Sequence, residues 1–466
     1  MGARRTSVDF GDRSVEIAIP EHATVVEFED PGALSRPAVA AREAIEKPCG
    51  APPLKDLAKP GMRVAVGFDD PTRPARTVQI ILPVVVDALL EAGVAASDIT
   101  FVCACSNHRK WTRRELAAYL GPEIFNRFRD GGRIVNHDCS DPAELVFLGL
   151  SPAGRYPLEM NRRFVSADLM VYVGNVGPGG FRTYTGTGAV IGLASTRSIA
   201  SHHSLHGIPG PGVSVGETSA KPRHSVKDDL NTQLEIVTGK RVFYINSVSG
   251  LEGNPVGVFA GSCREVRTPA WELAESIFRF PVPQADVMVV GIPEHLGADS
   301  ADNTLVAATG VMSPPRFSPS APVLREGGVV IGLSPSRGHI DPERYPAYQE
   351  AIDLYGRYHS LASLVDHEKE LDERPEYRSL YTHGYAYPPL HGLWLLYQSR
   401  YTRERASAVI MAGSRNPGAF RALGIITAAD FAEAWRFATR IVGPDPVTVV
   451  APAFWSRKSL KFDVQQ

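Results

Sequence analysis

The chain has 466 residues, 44% of them hydrophobic and 21% charged, enough apolar sequence to bury cores in two or three globular units and too much for a disordered protein. Its 49 Lys+Arg oppose 51 Asp+Glu for a formal net charge of -2, without the basic excess of a nucleic-acid binder, so a small molecule is the expected partner. The five cysteines lack the paired spacing of a structural zinc site, and no apolar stretch is long enough for a secretion signal or a membrane span. The expectation is a cytoplasmic protein, with no signal of its oligomeric state.

Short β-branched runs recur along the chain, each followed by a polar or glycine-rich loop and a helix-like stretch, the rhythm of a parallel α/β fold. Val64-Ala-Val-Gly-Phe68 leads into Asp69-Asp-Pro-Thr-Arg73, and the helix expected over 78–92 carries Pro83 and closes at Gly93. Ile99-Thr-Phe-Val-Cys103 leads into Ser106-Asn-His108-Arg109. Leu169-Met-Val-Tyr-Val173 leads into a glycine-rich stretch over 174–192. In an open parallel sheet ligands sit beyond the carboxyl ends of the strands, so the three loops are expected to converge. A second series of strands follows at 286–291, 328–332, 408–412 and 447–451, and Phe280-Pro-Val-Pro283 interrupts the pattern between the two series. The sequence therefore predicts an N-terminal catalytic and cofactor domain over 1–268, a linker over 269–284 and a C-terminal α/β domain over 285–466. Both have mostly parallel sheets, and a cleft between them is the expected binding site. The Pro- and Ser-rich stretch 313–322 reads as a surface loop.

Several residues in these loops can carry chemistry. Asp70 and Arg73 share one tight turn, where a guanidinium fork can hold a carboxylate or phosphate and an adjacent Asp can orient it; a solvated internal ion pair is the alternative. His108 directly follows its strand, placed as a general acid/base or as a hydrogen-bonding loop histidine. His202, His203 and His206 form a cluster whose imidazoles suit a transition metal, although no nearby carboxylate or cysteine completes a ligand set. Gly186 and Gly188 give a glycine spacing that can bring backbone amides to a phosphate or serve packing alone.

Taken together and in order, these segments resemble the nickel-dependent lactate racemase family. Asp69-Asp-Pro-Thr-Arg-Pro74 resembles its D-x-T-R-P loop, and Ser106-Asn-His-Arg-Lys-Trp-Thr112 with Glu115 resembles its T-H-R-x-x-T-x-x-E loop. Asn136-His-Asp138, the segment 161–169 and Ile199-Ala-Ser-His-His203 follow in register. The resemblance implies inversion of an α-hydroxy acid by hydride transfer from C2 to a nickel-pincer nucleotide while a histidine takes the hydroxyl proton. It further implies Arg73 on the substrate carboxylate, Asp70 orienting Arg73 or a histidine, His108 as acid/base and His203 as the protein ligand of the nickel.

The departures fall in the cofactor loop. Here Gly179 stands where the family has a second acid/base histidine, and Ala189 where a lysine tethers the nucleotide. Leu305-Val-Ala-Ala-Thr309 replaces a Y-Q-x-x-K element in the second domain, leaving Arg182, Tyr184 and Arg197 as candidate replacements. The expectation is a divergent racemase or epimerase holding the nucleotide non-covalently, with Arg182 and Tyr184 on a substrate other than lactate. The alternative is a binding homologue, or an enzyme using a free nicotinamide nucleotide.

Overall fold

The computed structural model describes residues 2–73, 75–179, 184–208, 226–297, 299–318, 321–457 and 460–465. Its architecture is mixed α/β with two mostly parallel sheets, as the alternation of apolar runs and loops requires. The first sheet runs Pro255–Gly261, Val242–Ser249, Leu169–Val176, Val64–Asp69, Ile99–Ala104 and Ile134–Asn136 from edge to edge. All neighbours are parallel except the first pair. The strands predicted at 64, 99 and 169 are thus adjacent, with their carboxyl ends on one edge.

Alternation along these strands divides their side chains between two layers. Val64, Val66, Phe68, Phe101, Cys103, Val171 and Val173 pack with Thr77–Glu91 and Arg113–Phe128, whereas Ala65, Val102, Met170 and Tyr172 face the opposite core. Each Val or Ile buried in this way contributes about 1.5–3 kcal/mol against chain entropy. The Thr77–Glu91 helix tolerates Pro83 and is closed by Gly93, whose positive φ of 88° lets its own amide and that of Val94 return to the Leu90 and Leu89 carbonyls.

The second sheet is ordered Ile426–Ala428, Ala408–Ala412, Leu324–Leu333, Ala285–Pro293, Ala3–Gly11 and Arg13–Pro20, with Thr448–Ala451 also paired to the 285–293 strand. Here the chain departs from the expected division. The N-terminal hairpin belongs to the second sheet, with Phe10 and Gly11 beside Ile292 and Pro293. Residues 269–284 are not a free linker: they complete the helix Cys263–Phe278 and form the strand Arg279–Val282, paired with Lys461–Val464. Pro281 is accommodated because that strand pairs on one side only. Ser313, Pro314 and Pro315 are buried rather than in a surface loop.

The inward faces of both sheets share one continuous core, in which Met170 and Tyr172 belong to the same cluster as Met288, Val330 and Met411. On the face of the second sheet turned away from it lies an apolar groove of about 670 Å³, lined by Phe10, Ile17, Phe431 and Trp435 among others. Among the described residues, no helix is long and apolar enough to cross a membrane.

The loop carrying His108 is fixed at its far end by a capping box. Thr112 Oγ1 accepts from the Glu115 amide at 3.2 Å, and the Glu115 carboxylate accepts from the Thr112 amide at 2.8 Å. Arg109 adds a forked pair to the same carboxylate, at 2.5 and 3.2 Å, and lies over the Trp111 ring. Partial burial would raise Glu115, but Arg109 and Thr112 bring it down to about 2. Thr112→Ala is expected to cost about 1 kcal/mol, read as a lower melting temperature. Because the folded carboxyl is depressed, its contribution is present above the ordinary glutamate range near 4.5 and fades as pH falls toward about 2. Thermal melts of Glu115→Gln should therefore differ most from the parent at neutral pH and converge with it in acid.

Candidate active site

Asp70 follows the 64–69 strand and is almost fully buried, 2% exposed. Its carboxylate lies 2.8 Å from His108 Nδ1 and accepts from the Thr72 hydroxyl. Burial alone would push Asp70 up, but His108, Arg73 and Thr72 hold it below the usual carboxylate range. An ionised Asp70 requires Nδ1 of His108 to carry the proton, which leaves Nε2 as an acceptor. Arg73, on the same turn, is exposed, and its guanidinium makes no hydrogen bond to the described residues.

The backbone that presents His108 is itself unusual. Ser106 sits at φ 52°, in the left-handed region that a non-glycine residue enters only when its surroundings enforce it. Its amide donates to the Gly192 carbonyl at 2.9 Å, and the His108 amide to Cys105 at 2.7 Å. Asn136 brackets the same loop through both backbone groups of Trp111. By contrast His137 is structural: fully buried, bonded to the Ala194 carbonyl at 2.8 Å and pushed down to about 4, chiefly by burial.

His203 closes the short helix Thr196–His203 and stacks on Trp394 with centroids 6.0 Å apart. Burial, reinforced by His108, Lys227 and Arg73, pushes it down to about 3, so it is held as a neutral imidazole within electrostatic range of the Asp70–His108 pair. Its Nδ1 lies 3.3 Å from that of His202, while His206 is exposed. Asp70, Arg73, His108 and His203 thus converge.

Other predicted residues do not join them. Tyr184 is buried against Trp271, with Glu275, Arg279 and Asp463 as its charged surroundings, away from His108. Arg182 lies outside the described residues. Gly186 and Gly192 serve close packing, since a Cβ would lie 2.9 Å from Val176 and 2.8 Å from Ala104. Gly188 precedes a helix of only four residues, Ala189–Gly192, in which Ala189 is fully buried.

Further residues to which the sequence reading did not assign a role stand around the site, several of them from the second half of the chain. Gly297 comes so near the Thr72 carbonyl that a Cβ would lie 3.1 Å from it. Tyr387 and His391 set their rings edge-on to His108. Lys110 reaches across to the Thr382 carbonyl at 2.9 Å. Lys227 donates to the Gly186 carbonyl at 3.4 Å, and the buried Lys461 donates to that of Gly179. Apart from Lys110, the side chains named here stand in no local motif.

Two observations bear on whether a cofactor of the pincer class suits this site. A neutral, partly accessible imidazole at His203 is the donor a soft metal requires. The buried hydroxyl of Ser106 and amide of Asn246, the latter beside Gly186, have no protein partner among the described residues. A covalent tether at residue 189 does not fit, because alanine has no nucleophile.

Residues 10–213 match the family described as the lactate racemase N-terminal domain. The lactate racemase of Thermoanaerobacterium thermosaccharolyticum is 26% identical over 315 residues, covering 67% of this chain and 69% of that protein. The lactate racemase apoprotein structure from the same organism superposes with a TM-score of 0.70 at 18% identity, over 99% of this chain and 100% of the other. A protein from Thermotoga maritima gives a TM-score of 0.60 at 17% identity, over 94% and 100%. Over residues 10–213 the chain is thus similar to the lactate racemase N-terminal domain, and over nearly its whole length it shares the fold of the lactate racemase apoprotein.

Proposed function

We propose that this protein is an α-hydroxyacid racemase or epimerase acting on a substrate other than lactate. The likeness to lactate racemases supports an isomerase of the racemase or epimerase type. The observation that carries the finer reading is the buried Asp70 bonded to His108 beside Arg73, whose guanidinium makes no hydrogen bond to the described residues. Arg73 binds the substrate carboxylate through its planar fork, Asp70 fixes the tautomer of His108, and Nε2 of His108 takes the proton of the C2 hydroxyl. A nickel-pincer nucleotide, when bound, supplies the hydride acceptor that lets C2 invert without a carbanion beside the carboxylate. His203 would hold its metal, and retention would be non-covalent. Gly179 leaves the glycine loop without its own proton-transfer group, which disfavours symmetric racemisation of a small acid such as lactate and favours a larger, polyhydroxy acid. The protein is taken to act in the cytoplasm on a free small molecule.

With protein produced in cells that make the pincer nucleotide, a panel of α-hydroxy and sugar acids in deuterated water should invert at C2 without importing deuterium. His108→Ala should lower that rate by roughly 10²–10⁴-fold. Lactate inversion as fast as that of the best sugar acid would contradict the substrate assignment, and no turnover across the panel would favour a binding homologue. In the same material, denaturing mass spectrometry should give the unmodified polypeptide mass while the native protein carries nickel. His203→Ala should lose that nickel and His202→Ala should keep it; an adduct of nucleotide mass would instead show a link through a lysine such as Lys227.

A further inference from the structure

The glycine loop has no histidine to match His108, yet a second imidazole stands beside it. His391, from the opposite half of the chain, has its ring centroid 5.8 Å from that of His108 at an interplanar angle of 80°. It opens the helix His391–Tyr397 and is held on two sides. Its Nδ1 lies 2.6 Å from the Tyr348 hydroxyl, and the Tyr387 ring packs against it at 4.4 Å. Asp299 in turn fixes Tyr387, at 2.7 and 2.9 Å, and Tyr345 at 2.8 Å. Nε2 of His391 has no hydrogen-bond partner among the described residues. Gly179, by contrast, has its carbonyl engaged by Lys461.

We propose that His391 is the second proton-transfer residue of the site, supplied by the other half of the chain in place of the histidine missing at Gly179. The inference rests on the hydroxyacid reading above. For one hand of substrate, the O–H bond breaks with its proton passing to Nε2 of His108, and the C2–H pair leaves as hydride to an acceptor of the pincer class, giving a keto acid. On return, the hydride rebuilds C2–H on the opposite face, and the C2 oxygen takes its proton from Nε2 of the His391 imidazolium, which is left neutral. The proton gained by His108 then passes to His391 and restores the pair; inversion of the other hand runs the same steps in reverse. Two features of the geometry suit this exchange. The Tyr348 hydroxyl can donate to Nδ1 or accept from it, so Nε2 is available as acceptor or donor. Burial together with the nearby His108 and His203 pushes His391 well below its ordinary value, so a proton placed on its ring is readily given up.

Binding to the cofactor-free protein separates this inference from the reading beneath it. The probes are the D and L forms of lactate, glycerate and mandelate, titrated calorimetrically with propionate, 3-hydroxypropionate and phenylacetate as controls lacking the C2 hydroxyl. His391→Phe, which keeps a ring between Tyr348 and Tyr387, should weaken one hand by about tenfold and leave the other hand and the controls unchanged; His108→Phe should weaken the opposite hand. If His391→Phe binds both hands as the parent does, or weakens acids and controls alike, the inference is overturned. If that variant does not fold, Tyr348→Phe is expected to weaken the same hand by about threefold, and an unchanged preference there overturns it equally. A parent protein that prefers no hydroxy acid over its control would sink the hydroxyacid reading, and His391's role with it.

Discussion

A carboxylate almost cut off from water is sustained at the centre of this protein by an imidazole, a hydroxyl and a guanidinium. Asp70 loses most of its hydration, and His108, Thr72 and Arg73 return enough favourable interaction to keep it ionised. That balance fixes the His108 tautomer and orientation, and it exists only because the 64–69 and 99–104 strands are parallel neighbours whose ends open on one edge. The positive φ at Ser106, the capping box at Thr112 and the Asn136 clasp on Trp111 all hold the same loop in place.

Among the described residues, the other half of the chain contributes rings and backbone to the surroundings of His108. Tyr348, Tyr387 and His391 form a wall opposite Asp70, and Asp299 anchors that wall from behind. The continuous core between the sheets sets the distance between wall and dyad. Substitutions in Tyr345 or Asp299 therefore act on the site through ring placement, whereas under the proposed function those in Arg73 act on the ligand directly.

Much of this was legible in the sequence because local physics wrote it there. Strands with alternating β-branched residues announce themselves, and a polar turn after each such strand locates Asp70, Arg73 and His108 at one sheet edge. What local pattern does not encode is which distant segments meet. The N-terminal hairpin joins the second sheet through long-range pairing with Pro293, and His391 reaches His108 from the start of a seven-residue helix with no motif around it. Tyr184 was placed with the substrate on proximity in sequence, but the bridge between Pro178 and Tyr184 aims its ring at Trp271 instead. Proline misled at 269–284, where Pro269 lies within a helix and Pro281 within a strand paired on one side.

The central claim is that Arg73 and the Asp70–His108 pair bind an α-hydroxy acid. A crystal structure of the protein grown with mandelate tests it most directly. The account predicts the carboxylate on the Arg73 guanidinium and the C2 hydroxyl within hydrogen-bonding distance of His108 Nε2. Mandelate seated instead in the apolar groove lined by Phe10, Phe431 and Trp435, with the Asp70–His108 site empty at saturating ligand, would contradict it.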